Sequence, residues 1–140
     1  STTYTNWLAQ YFWYGADTSL TADPNQNGVS NLLEYALDLN PLSQNPPTLP
    51  FVAWDTNTAD GPWLTFTYRR NKSAMDLTYG VQTSTDLITW SSIIPNQTLL
   101  VSEVANSNPD GDGTSELLRI RIKTSPTESK RFVRLNVTRQ

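Results

Sequence analysis

Between residues 6 and 14 apolar side chains return every three or four positions, at Trp7, Leu8, Tyr11 and Phe12, the spacing that gathers them on one face of an α-helix. Thr5 is placed to cap this helix and Gly15 to end it. A second helical stretch, 29–39, carries Val29, Leu32, Leu33, Ala36 and Leu37 on one face, and Pro41 is expected to stop it. From Phe51 onward the period falls to two. Leu64, Phe66 and Tyr68 alternate with Thr65 and Thr67; Leu77, Tyr79 and Val81 with Thr78, Gly80 and Gln82; Leu118, Ile120 and Ile122 with Arg119 and Arg121; Val133, Leu135 and Val137 with Arg134 and Asn136. One face is apolar and the other polar, as a half-buried antiparallel sheet requires.

The pattern predicts strands at 51–54, 63–70, 77–83, 88–93, 98–105, 116–123 and 131–138. Turn-forming residues separate them: Asp60-Gly61-Pro62, Asn71-Lys72-Ser73, Thr85-Asp86, Pro95-Asn96 and Asp110-Gly111-Asp112-Gly113. About seven short strands at this spacing favour two packed sheets. The expected fold is mainly β with a small N-terminal α part: an antiparallel β-sandwich preceded by a helix and an EF-hand-like loop-helix. The 140 residues suit one domain, with a helical segment 1–40 packed on a sandwich 51–140 and a strap 41–50, rich in Pro, Ser, Asn and Gln, between them.

One constellation carries chemistry. Residues 23–34 read Asp-Pro-Asn-Gln-Asn-Gly-Val-Ser-Asn-Leu-Leu-Glu. Oxygen-bearing side chains stand at positions 1, 3, 5, 9 and 12 of a twelve-residue frame, with Gly at position 6, which is the EF-hand loop pattern. Asp23, Asn25 and Asn27 would present side-chain oxygens, Val29 its backbone carbonyl, Asn31 an oxygen directly or through water, and Glu34 both carboxylate oxygens. Gly28 would permit the sharp turn. About seven oxygens suit Ca²⁺ better than Mg²⁺, and with no His or Cys in the chain a mononuclear transition-metal site is disfavoured. The bland alternative is an Asn-rich turn that caps a helix, with Glu34 solvated. A weaker frame begins at Asn108 and uses Asp110, Asp112 and Glu116, with Gly113 at its sixth position. Its twelfth position is Arg119, which would repel an ion, so this stretch reads as a hairpin turn before it reads as a second site.

The segments Ala22-Asp23-Pro24-Asn25, Asn31-Leu32-Leu33-Glu34-Tyr35-Ala36-Leu37 and Asn40-Pro41 resemble a module found near the C-termini of large secreted bacterial proteins, where Asp usually stands in place of Asn25 and Asn27. The loop is similar to the calcium loops of dockerins and thrombospondin type 3 repeats. Leu77-Thr78-Tyr79, the stretch from Thr83 to Trp90, and Arg131-Phe132-Val133-Arg134-Leu135 resemble the strands that follow it in such modules. The resemblance implies calcium on Asp23, Asn25, Asn27, Val29, Asn31 and Glu34, and no catalytic activity.

Composition narrows the function further. The formal net charge is −3. The short basic groups Arg69-Arg70-Lys72 and Lys130-Arg131-Arg134 do not make the clustered surface that phosphate backbones demand, so nucleic acid is not an expected partner. No apolar run approaches membrane-spanning length, and no membrane insertion is expected. The absence of His and Cys removes Ser-His-Asp and Cys-His catalysis. Starting at Ser1, with neither initiator Met nor signal peptide, the chain reads as a piece of something longer. The expectation is therefore a monomeric, non-catalytic, calcium-stabilised accessory module, covalently linked to other domains of a secreted or cell-surface protein. The alternative is a carbohydrate-binding module on a polysaccharide-degrading enzyme. It rests on five Trp residues, since planar rings stack on sugar faces. Trp7 and Trp90 fit a packed core on spacing. Trp54 and Trp63, the latter out of phase with Leu64, Phe66 and Tyr68, are the candidates for exposed sugar platforms.

Overall fold

The computed structural model describes residues 1–11, 15–45, 47–56, 59, 62–93, 100–125 and 127–140, with the side chains of 100–102 outside that description. The chain opens with two short helices, α1 (Tyr4–Ala9) and α2 (Asn31–Ala36). Seven strands follow: β1 (Phe51–Asp55), β2 (Trp63–Asn71), β3 (Leu77–Ser84), β4 (Ser91–Ser92), β5 (Leu100–Asn106), β6 (Ser115–Lys123) and β7 (Phe132–Arg139). They form a four-stranded sheet in the order β1-β2-β6-β5 and a three-stranded sheet in the order β4-β3-β7, and every pairing is antiparallel. This is a β-sandwich carrying a small N-terminal α part.

The alternating positions face each other across the core. Leu64 pairs with Ile122, Phe66 with Ile120 and Tyr68 with Leu118 along the β2–β6 ladder. These six side chains are buried together with Val81 and Ile93, and Tyr79, Val133 and Leu135 pack against them from the other sheet. The apolar faces of two sheets thus close on one another, as the period of two requires.

Several local expectations shift. Thr3, not Thr5, caps α1, its hydroxyl accepting from the Asn6 amide at 3.3 Å. The helix ends at Ala9; Phe12, Trp13 and Tyr14 lie outside the described residues. α2 is six residues long and stops well before Pro41. Asp38, at φ 52°, adopts the left-handed conformation, the Leu39 amide donates to the Glu34 carbonyl at 2.9 Å, and the Asp38 amide donates to the Tyr35 carbonyl at 3.3 Å. That bond pair is a Schellman stop, so the chain leaves the helix before proline has a say. The strand expected over 88–93 shrinks to Ser91–Ser92. Asp86 Oδ1 takes the Ile88 and Thr89 amides, each at 2.8 Å, and Ser84 Oγ takes the Asp86 and Leu87 amides. Amides held in side-chain turns have nothing to donate to a ladder. The expected turns at 60–61 and 95–96, and the start of the fifth strand at 98–99, lie outside the described residues.

Side chains of the sandwich hold the helical segment down. A six-residue helix leaves its last carbonyls without intrahelical partners. Here Asn71 Nδ2 donates to the Tyr35 carbonyl at 3.0 Å, the Tyr79 hydroxyl to Ala36 at 2.7 Å, Arg69 Nε to Leu37 at 3.0 Å and Arg69 Nη2 to Asp38 at 3.0 Å. At the other end, the Asn31 and Leu32 amides donate to the Ala22 and Leu20 carbonyls. Tyr4, Trp7 and Tyr35 form a second buried cluster, with ring centroids 5.4 to 5.7 Å apart. Asp76 ties both chain ends to it. Its Oδ1 accepts from the Tyr35 hydroxyl at 2.8 Å, and its Oδ2 from the Tyr4 amide at 3.0 Å and Arg139 Nε at 3.1 Å. Burial works against this carboxylate, but those donors outweigh it and hold its pKa below the ordinary Asp value.

Replacing Asn71 by Ala takes the shorter of two hydrogen bonds from the Tyr35 carbonyl, leaving it the Asp38 amide at 3.3 Å. Urea unfolding of Asn71→Ala is expected to show a loss of about 0.5–1.5 kcal/mol; an unchanged midpoint would mean that this contact does not hold α2 in place.

Candidate metal centre

Residues 23–34 curl around the side chain of Asp23. Its Oδ1 accepts from the Asn27 amide at 3.2 Å and its Oδ2 from the Gly28 amide at 2.8 Å. Gly28 sits at φ 84°. A Cβ there would meet nothing within 4 Å, so the backbone conformation, not space, calls for glycine. Gln26, at φ 55°, completes the tight turn, and its amide donates to the Asp23 carbonyl at 3.2 Å. Asn27 Oδ1 accepts from the Val29 amide at 2.9 Å, while the Val29 side chain is buried.

Glu34 is the centre of the arrangement. It is 1% exposed, at the bottom of the curl. Oε1 accepts from two amide groups, Asn27 Nδ2 at 2.6 Å and Asn25 Nδ2 at 3.1 Å. Oε2 is buried with no hydrogen-bond partner among the described residues. A cavity of about 120 Å³ lies against Glu34 and Asn27, lined further by Leu39, Asn40, Ser43, Asn45 and Pro47. Burial raises the Glu34 pKa above the ordinary carboxylate value; the Asn25 and Asn27 donors pull it down in part, and the Asp23 charge adds to the rise.

The donor set fits a hard cation. Asp23, Asn25, Asn27 and Glu34 are linked by hydrogen bonds within the loop, each carries a side-chain oxygen, and a buried carboxylate oxygen of Glu34 lacks a partner, which is costly unless something positive approaches it. The two asparagines now turn their NH₂ groups to Glu34, so neutral donors stand where a cation would. A half-turn of each amide exchanges nitrogen for oxygen in nearly the same volume, at the loss of the Val29 amide bond to Asn27 and of the Asn25 bond to the Ser43 carbonyl.

Asn31 does not join this group. Its Nδ2 donates to the Asp17 carbonyl at 2.9 Å and the Ser19 carbonyl at 3.0 Å, and the residue is fully buried. It fastens the 17–19 segment to the start of α2. The frame's ninth position is thus spent on packing the helical segment.

The second frame is the hairpin loop between β5 and β6. Its curl repeats the first: Asn108 Oδ1 accepts from the Gly113 amide at 2.8 Å, as Asp23 does from Gly28. Asp110 and Asp112 come close to Asp38 from the end of α2, with one carboxylate oxygen from each lying within 4.8 Å of the others. A cation is already present there. Arg69 bonds Asp110 through both terminal nitrogens and lies 3.8 Å from Asp38. The same guanidinium holds the Asp110 pKa below the ordinary Asp value. Glu116, the frame's ninth residue, pairs with Arg70. Sequence reading missed Asp38 here because nothing local signals that α2 ends beside a loop some seventy residues away.

The two candidate sugar platforms part company. Trp54 is 60% exposed on edge strand β1. Trp63 is 5% exposed, contrary to expectation. It does face away from Leu64, Phe66 and Tyr68, but Arg121 and Lys123 from the neighbouring β6 lie over its ring, 5.2 and 5.5 Å from the centroid. Long cationic side chains cover the ring and leave no stacking face. Trp7 is in the helical core, and Trp90 is half-buried beneath Arg134.

No family model, no curated protein and no solved structure matches this chain. Among the described residues no helix is long and apolar enough to cross a membrane.

The raised Glu34 pKa has a definite sign. The folded state binds this proton more tightly than the unfolded state, so Glu34 contributes stability below its unfolded pKa and loses it as pH rises through the folded value. In chelator, the stability of wild type relative to Glu34→Gln is therefore expected to improve as pH falls from neutral into the carboxylate range. Paired urea titrations check this, and a pH-independent difference would contradict it.

Proposed function

We propose that the chain is a non-catalytic accessory module of a larger secreted or cell-surface protein, stabilised by Ca²⁺ in the 23–34 loop and serving a structural or display role. The observation that carries the calcium reading is the buried, unpaired Oε2 of Glu34, set among Asn25, Asn27 and the Asp23 curl. A mainly β fold with no His or Cys supports the non-catalytic part. The site has two carboxylates, which suits an affinity on the order of micromolar to a tenth of a millimolar. Such a site fills in extracellular calcium and stays largely empty in resting cytosol, so the ion acts as a permanent staple. The module would work as a monomer joined covalently to its neighbouring domains.

At free calcium about one hundred times the dissociation constant, binding adds roughly 2.7 kcal/mol of stability, which raises the melting temperature of a domain this size by several degrees. Thermal melts in chelator and in millimolar calcium are expected to differ by that amount for wild type. Glu34→Gln should lose most of the increment. Asn31→Ala should lower both curves together, because Asn31 holds the fold and not the ion. Superimposable wild-type curves, with no calcium found by elemental analysis, would sink the proposal.

A second reading, glycan binding, is supported by Trp54, exposed beside Phe51 and Val52 on the same edge strand. One exposed ring gives weak binding, about 4 to 6 kcal/mol, in the millimolar to high-micromolar range. Trp54→Ala should then abolish retention on insoluble polysaccharide without moving the melting temperature. If wild type is not retained by any member of a broad glycan panel in saturating calcium, this second reading falls.

A further inference from the structure

We propose that the strap between α2 and β1 completes the ion site, with the main-chain carbonyl of Ser43 taking the coordination place that the loop's ninth residue leaves open. The proposal rests on the reading of residues 23–34 as a calcium loop. Asn31 is engaged with the Asp17 and Ser19 carbonyls, so the frame alone offers one oxygen each from Asp23, Asn25, Asn27 and Val29 and two from Glu34. Those six oxygens are the fewest that Ca²⁺ ordinarily takes, about six to eight, which leaves room for a seventh.

The seventh oxygen is marked by a hydrogen bond. Asn25 Nδ2 donates to Glu34 Oε1 at 3.1 Å and to the Ser43 carbonyl at 2.9 Å. A single NH₂ group is therefore held between a loop carboxylate and a strap carbonyl, and both acceptors converge on one point. When Asn25 turns its oxygen inward to serve a cation, the Ser43 carbonyl loses its donor, and Ser43, on the wall of the cavity against Glu34, is free to turn that oxygen to the ion. The strap is shaped to keep that carbonyl in place. The Ser43 amide donates to the Asn40 carbonyl at 3.0 Å, the Leu42 amide to Asn40 Oδ1 at 3.0 Å, and the Asn45 amide to Ser43 Oγ at 3.2 Å. The cavity against Glu34 is walled on its strap side by Asn40, Ser43, Asn45 and Pro47, polar groups suited to an ion or its remaining water. Pro41, buried next to this turn, anchors it.

Calcium then does more than order its own loop. It fixes the strap, and with it the junction between the helical segment and the sandwich.

The test is calcium titration of uniformly ¹³C,¹⁵N-labelled protein, reading backbone carbonyl shifts, with calorimetry on wild type and on a variant carrying two glycines inserted between Leu42 and Ser43. The expected result is that the Ser43 carbonyl moves together with the Val29 carbonyl at the same calcium concentration, and that the insertion weakens calcium binding by roughly tenfold or more. If Val29 and the Glu34 carboxylate respond while Ser43 stays still and the insertion leaves the affinity unchanged, the strap is no ligand and the loop reading survives alone. If wild type takes up no calcium at all, the loop reading fails and the strap proposal fails with it.

Discussion

The last four carbonyls of a short helix need partners that the helix cannot supply. In this protein the sandwich meets the end of α2: the Tyr35 and Ala36 carbonyls of its last turn, and those of Leu37 and Asp38 just beyond it, accept from Asn71, Tyr79 and Arg69. Arg69 also brings positive charge to the negative end of the helix. This docking sets where α2 lies, and α2 sets where Glu34 lies. A carboxylate on the first turns of a free six-residue helix would be solvated, because so short a helix hardly forms in water. Clamped to the sheets, it is carried into a buried position beside a small polar cavity. The aromatic cluster of Tyr4, Trp7 and Tyr35 and the Asp76 clasp reinforce the same junction. Buried negative charge at Glu34 is thus a consequence of how the helical segment is held, and the ion is what would offset it.

Much of this was readable in the residue pattern. The alternation in β6 and β7 is clean because one face of each strand meets the core while the other carries Arg, Asn or Thr; β2 has the same residue pattern but buries its Thr face too. Gly28 and Asp23 announced the curl because the amide-to-carboxylate bond and the positive φ are local. What the pattern did not reveal is non-local or made by side chains. β4 is short because Asp86 and Ser84 capture the amides that a ladder would use. Trp63 has the phase expected of it, yet is covered, because its cover comes from Arg121 and Lys123 on a strand some sixty residues away. Asn31 matched the calcium frame in type and position but points to Asp17 and Ser19. An oxygen at the right spacing is necessary for a ligand and does not decide which way the side chain turns.

The two curled loops show how one backbone device serves two electrostatic ends. Each has a position-one oxygen accepting from a glycine five residues on. In the hairpin between β5 and β6 Asp110 meets Arg69, which also reaches Asp38, so a protein cation already offsets part of the negative charge there. At 23–34 no Arg or Lys approaches Glu34 among the described residues, and two neutral amides hold its place. The difference between a structural turn and an ion site lies in that counter-charge.

A crystal structure grown in millimolar calcium tests the account most directly. The expected result is a peak about 2.3–2.6 Å from both Glu34 carboxylate oxygens, with Asn25 and Asn27 turned so that their oxygens face it. A well-ordered loop in which both NH₂ groups still bond Glu34 and no peak lies beside Oε2 would contradict it.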